Sequence, residues 1–144
     1  MIQYPLVFRA NAEVVPGIVT PWKARASENA PLTLSIPPEF DGPGGGFSPE
    51  DLYALALLNC FGATFKVIAE RSRVDYRQLT LSGALIVDRN EAGAPWMKRF
   101  ELEAVLEGAT DRERADRVLQ KTSTSCLILN SVKTEVTFSL QVKA

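Results

Sequence analysis

The chain has 144 residues, 46% apolar and 23% charged, with 16 basic and 17 acidic side chains. That is the balance of one globular domain over residues 1-144, not of a disordered or collagenous chain. A formal charge of −1 and the lack of a basic run exclude a nucleic-acid or anionic-membrane surface. No stretch reads as a membrane span or secretory leader, so the expected location is the cytoplasm.

The absence of histidine excludes a Ser-His-Asp or Cys-His nucleophile and any histidine-ligated zinc or haem. Two cysteines cannot alone complete a four-thiolate metal site. Thiols, carboxylates, hydroxyls, lysines and arginines remain for chemistry.

In chain order, Tyr4 to Arg9 and Val14 to Val19 read as short edge strands or a hairpin, punctuated by Pro16, Gly17 and Pro21. Leu32, Leu34 and Ile36 alternate with Thr33 and Ser35, the period of a half-buried strand. Pro37 to Phe47 is a proline- and glycine-rich loop. It lacks the Gly-Lys-Ser/Thr ending of a phosphate-binding loop, and serves either as a linker or as the border of a site.

Ser48-Pro49-Glu50-Asp51 is a helix start, with Ser48 as cap, Pro49 in the first helical position and acids at the positive end. The helix is expected to run to about Arg71. From Leu52 to Ile68 it is apolar nearly all round, interrupted only by Asn59, Thr64 and Lys66. A helix like that is buried on most sides, which one small domain cannot easily provide, so a dimer interface is expected.

Leu79, Leu81, Gly83, Leu85 and Val87 form one alternating set, and Phe100, Leu102, Ala104 and Leu106 another. The Asp88 to Pro95 turn makes them an antiparallel hairpin. Thr110 to Glu113 reads as a capping box for a helix with Ala115, Val118 and Leu119 inward. The hydroxyl cluster Thr122 to Ser125 is expected to interrupt that helix, with Cys126 in the first turn of a short helix beyond it. Val136, Phe138, Leu140 and Val142 make a last strand. The fold class is α+β.

Each cysteine, taken alone, is either a small buried hydrophobe or half of a redox pair, because a structural disulfide does not suit a reducing compartment. The run Pro-Pro-Glu-Phe-Asp-Gly-Pro-Gly-Gly-Gly-Phe-Ser-Pro-Glu-Asp-Leu (Pro37 to Leu52), followed by Ala-Leu-Leu-Asn-Cys-Phe (Ala56 to Phe61), resembles the signature of the osmotically induced and organic hydroperoxide resistance proteins, the OsmC/Ohr family. The Cys-x-x-x-Asn-Ser of Cys126 to Ser131 is similar to that family's second motif, with Leu127 where proline often follows the cysteine. The likeness extends over the chain in length, element order and cysteine spacing.

This resemblance implies an OsmC-like fold: an antiparallel sheet with a long buried central helix, in an intertwined homodimer with two active sites at the subunit interface. It implies a thiol peroxidase of the oxidative stress response, with Cys60 attacking an organic hydroperoxide and Cys126 resolving the sulfenate as a disulfide. Glu50 is implied as the carboxylate that positions a catalytic arginine. No metal or prosthetic group is implied; a small-molecule or protein dithiol serves as reductant. The chemistry is that of a thiolate attacking the terminal peroxide oxygen, and apolar Leu57, Leu58, Phe61 and Phe65 favour greasy hydroperoxides. The alternative is a non-catalytic or redox-sensing member that holds a small apolar ligand at the dimer interface.

Glu50 and Cys60 are ten residues apart on one expected helix, roughly 15 Å of rise. Within one subunit they cannot serve one site unless the helix breaks; both can contribute if two such helices run antiparallel across a dimer, with Glu50 acting in trans. A thiolate in apolar surroundings also needs a neighbouring cation. The family's arginine would fall near Ile18 in one branch and near Pro38 and Glu39 in the other, and neither place holds one. Arg9, Lys23, Arg25 and Lys133 are the substitute candidates. A further expectation is that Cys126, if it opens a helix, is the more acidic thiol of the two.

Overall fold

Residues 1–144 are all described by the computed structural model, and they fall into two units, Met1–Leu52 and Tyr53–Ala144. In the first unit, β1 (Ala10–Glu13), β2 (Trp22–Ala26) and β3 (Leu32–Leu34) pair antiparallel in that order. A hairpin is present as expected, but its strands lie outside the two apolar segments that suggested it. Pro5 removes a ladder donor from the first segment, and Pro16 breaks the second. Gly17 then turns the chain with φ 105°, its carbonyl accepting from Thr20 N at 3.1 Å.

The glycine-rich loop folds back on β3. Phe47 N donates to Thr33 O at 2.9 Å, and Phe47 O accepts from Ser35 N at 3.0 Å. Gly46 permits this approach, since a Cβ there would sit 2.8 Å from Thr33 O. The loop thereby delivers Ser48 to the start of α1 (Pro49–Arg71).

That start is a reciprocal cap: Asp51 N donates to Ser48 Oγ at 3.0 Å and Ser48 N to Asp51 Oδ2 at 2.9 Å. The helix closes with Val74 N donating to Ala69 O, 2.9 Å, and Arg73 in the left-handed region. Only one stripe of α1, Leu57, Phe61, Phe65 and Ala69, is buried within the chain. Leu55 and Val67 stay exposed at 43% and 47%, so the expectation of burial on most sides is not met by a single chain. Contrary to the sequence reading, the 23-residue α1 is also long and apolar enough to cross a membrane, its most apolar 18-residue stretch having a mean hydropathy of 1.6. The reason is that Glu50, Asp51, Glu70 and Arg71 gather at its two ends.

In the second unit, β4 (Gln78–Arg89) and β5 (Pro95–Glu107) form the expected antiparallel hairpin. β6 (Glu135–Lys143) adds to the other side of β5 in parallel. A parallel neighbour requires a crossover, which α2 (Arg112–Ser125) supplies. The antiparallel pairing therefore covers β1 to β3 and β4 to β5, while the β4-β5-β6 sheet is mixed. Phe100, Leu102, Ala104 and Leu106 of β5 meet the α1 stripe and Ala115, Val118 and Leu119 of α2 in one core. Gly62 lets α1 come close to the sheet: a Cβ there would be 3.2 Å from Leu81 Cδ1.

α2 departs from expectation at both ends. Its cap is Asp111, not Thr110, with the Asp111 carboxylate accepting from Arg114 N at 3.0 Å. The hydroxyl cluster continues the helix instead of interrupting it, because each hydroxyl donates back to a carbonyl of the preceding turn. Thr122 Oγ1 reaches Val118 O at 2.7 Å and Ser125 Oγ reaches Lys121 O at 2.8 Å. Cys126 is consequently the residue that ends α2, not one in the first turn of another helix. A 3-10 turn, Leu129–Ser131, leads on to β6.

Candidate functional site

Cys60 lies on α1 beside the buried stripe and is half-buried; Cys126 at the end of α2 is fully buried; both are free thiols. α1 and the turn after α2 bring them together although they are far apart in sequence. The Cys126 side chain feels Cys60 both as a neighbouring charge and as a hydrogen-bond partner. From the same turn, Ile128 N donates to Cys60 Sγ at 3.3 Å. The Cys126 thiol donates to Thr122 O at 3.1 Å, the back-bond that ends the row of hydroxyls.

Burial pushes the Cys126 thiol up from 9.0 to about 11. A hydrogen bond from Thr64 pulls the other way, and Cys60 adds to the rise. This overturns the expectation that Cys126 is the more acidic thiol through a helix start. It sits at the carboxyl end of α2, where the helix dipole disfavours an anion, and it is out of contact with water. At neutral pH Cys126 holds its proton.

The surroundings of the pair are largely apolar. Phe61 lies against Phe138, with ring centroids 6.0 Å apart. Leu127 and Ile128, beside the sulfurs, are exposed. No three acidic or thiol side chains converge as metal ligands.

Glu50 is half-buried in the first turn of α1 and takes part in none of the ion pairs. One continuous helix separates it from Cys60 by about 15 Å of axial rise. Lys133, one of the substitute candidates, follows the Leu129–Ser131 turn and is exposed. Lys23 Nζ donates to Thr33 Oγ1 at 2.6 Å, tying β2 to β3. No cation is among the groups that act on Cys126.

Two contributors escaped the sequence reading. Thr64 appeared there only as a polar interruption of an apolar helix, although its position four residues after Cys60 places both on one face. The Ile128 N–H is a main-chain group and leaves no mark in composition or periodicity.

Residues 42–141 match the model of the OsmC family, described as OsmC-like protein. The chain is 26% identical over 119 residues to the uncharacterized protein YmaD of Bacillus subtilis, covering 80% of this chain and 79% of that one. Among solved structures it is similar to an OsmC-like protein of unknown function from Vibrio cholerae, with TM-score 0.82, 18% identity, and 94% and 99% of the two chains covered. It is also similar to an organic hydroperoxide resistance protein OsmC from Legionella pneumophila, with TM-score 0.74, 18% identity, and coverage of 99% and 100%. At such identities these structures speak for the fold.

Proposed function

The chain belongs to the OsmC-like protein family, and from that premise we propose that it is a two-cysteine thiol peroxidase acting on organic hydroperoxides. The observation that carries this reading is the contact between Cys60 and Cys126, with only one of the two sulfurs shut away from solvent. The half-buried Cys60 is the nucleophile. Its thiolate attacks the terminal peroxide oxygen, the O–O bond breaks, and the departing alkoxide takes up a proton to become the alcohol.

Cys60 is left as a sulfenic acid. Cys126 then attacks its sulfur, water departs, and a Cys60–Cys126 disulfide forms. A dithiol of small-molecule or protein origin reduces this disulfide and is itself oxidised to a disulfide. The high proton affinity of Cys126 suits this order, because a thiol that stays protonated does not compete for the peroxide.

The same proposal includes a homodimer. What supports it is that α1, apolar nearly all round, buries only one stripe within the chain and leaves Leu55 and Val67 exposed. Glu50 acts in trans within that dimer, since its own helix holds it away from Cys60. A ligand-holding or redox-sensing role is the second reading, favoured by the lack of an arginine near Ile18 and near Pro38 and Glu39, where the family would place one.

Stopped-flow thiol oxidation of the reduced protein separates the two. Faster loss of two thiols with cumene hydroperoxide than with hydrogen peroxide, abolished by Cys60→Ser, supports the peroxidase. Oxidation no faster than that of a free thiol refutes it and leaves the ligand-holding reading.

A further inference from the structure

The geometry points to the main-chain N–H of Ile128 as a group that holds the Cys60 sulfur in its reactive form. This deepens the peroxidase reading and rests on it. Ile128 N approaches Cys60 Sγ at 3.3 Å, and the turn that carries it is held from several sides. Asn130 N donates to Cys126 O at 2.9 Å, Ser131 N to Ile128 O at 3.0 Å, and Asn130 Nδ2 to Thr124 O at 3.0 Å. The donor is therefore fixed in direction before any peroxide arrives, the condition under which a single hydrogen bond to a developing or resident anion counts most.

The arrangement also couples the two cysteines. Ile128 is two residues beyond Cys126, so the turn that presents the N–H to Cys60 also presents the resolving thiol. A sulfur held by this turn is already beside its partner when it is oxidised.

Deleting a backbone donor calls for an amide-to-ester exchange, and the chain offers a junction for it. Cys126 itself is the ligation cysteine: a synthetic segment Cys126–Ala144, with the Ile128 residue as its α-hydroxy acid, is joined to residues 1–125 and the full chain refolded. The all-amide ligated protein is the reference. The ester also weakens the Leu127 carbonyl, which accepts from Ser131 Oγ at 2.8 Å. Ser131→Ala removes that contact alone and serves as the control.

Site-resolved alkylation of Cys60 by iodoacetamide at pH 7 is the readout, and it needs no peroxidase turnover. The ester is expected to slow Cys60 by about tenfold, the low end for a hydrogen bond to a charged acceptor, with Ser131→Ala within about twofold of the reference. An ester protein that folds, by its circular dichroism, and alkylates at the reference rate overturns the proposal. If the ester protein does not refold, the 15N-labelled unmodified chain decides. The Ile128 amide proton must then shift as Cys60 ionises, and must cease to do so in Cys60→Ser; an unresponsive Ile128 amide overturns the proposal. Slowed peroxide reduction with unchanged alkylation sinks this inference and leaves the peroxidase standing. Absent peroxide reduction in the all-amide protein sinks the peroxidase instead.

Discussion

Raising the pH should weaken the fold through Cys126, and the size of the effect follows from its surroundings. The residue is 0% exposed and its thiol is pushed from 9.0 to about 11. Below about pH 9 the folded and unfolded chains both hold the proton, and the group makes no difference to stability. Between about 9 and about 11 the unfolded chain releases it while the folded chain does not, so stability falls as pH rises. The loss attributable to Cys126 reaches about 3 kcal/mol, and at neutral pH the same burial leaves about a hundredfold less thiolate than an unburied thiol has.

Urea unfolding of the reduced protein from pH 8 to 11, with Cys126→Ser run alongside, isolates this contribution from lysines and tyrosines that titrate in the same range. Alkylation of the Cys126 peptide at pH 7, folded against unfolded in urea, reads the thiolate fraction directly. A Cys126 that alkylates as fast folded as unfolded, or a stability difference between the two proteins that does not change with pH, would refute the reasoning.

Three substitutions test other parts of the account. Gly83→Ala places a Cβ 2.3 Å from Phe100 Cζ in the core and should cost about 1–3 kcal/mol by overpacking; an unchanged urea midpoint contradicts the packing described. Tyr53→Phe removes the 2.6 Å contact between Tyr53 Oη and the buried Thr134 hydroxyl, with an expected loss of about 1–2 kcal/mol. Thr64→Val removes the one group that lowers the proton affinity of Cys126. Disulfide formation after peroxide attack should then slow about fivefold, the worth of one modest hydrogen bond, with the first oxidation step unchanged.

What the sequence made legible follows where local chemistry and tertiary packing agree. Ser48 caps α1 as read, to which the structure adds the return bond to Asp51, and the alternation of Leu79 to Leu85 against Phe100 to Leu106 faces the core as drawn. It was least legible where a local rule has two outcomes. Thr122 to Ser125 can break a helix or bond back into it, and here they bond back, which moves Cys126 from a helix start to a helix end and reverses its expected acidity. Proximity of the two thiols was available only through family likeness, since nothing in the periodicity of α1 or α2 says that their faces meet at Cys60 and Cys126. The Ile128 N–H was beyond reach, because a main-chain donor belongs to a conformation and not to a residue type.

The most direct test of the central claim is a peptide mass map under non-reducing conditions. The fully reduced protein is treated with one equivalent of cumene hydroperoxide and its free thiols are blocked at once. The account predicts one new species, the Cys60 and Cys126 peptides joined by a disulfide, absent from both Cys60→Ser and Cys126→Ser. Recovery of both cysteines as blocked thiols, or of Cys60 joined only to another Cys60, would contradict it.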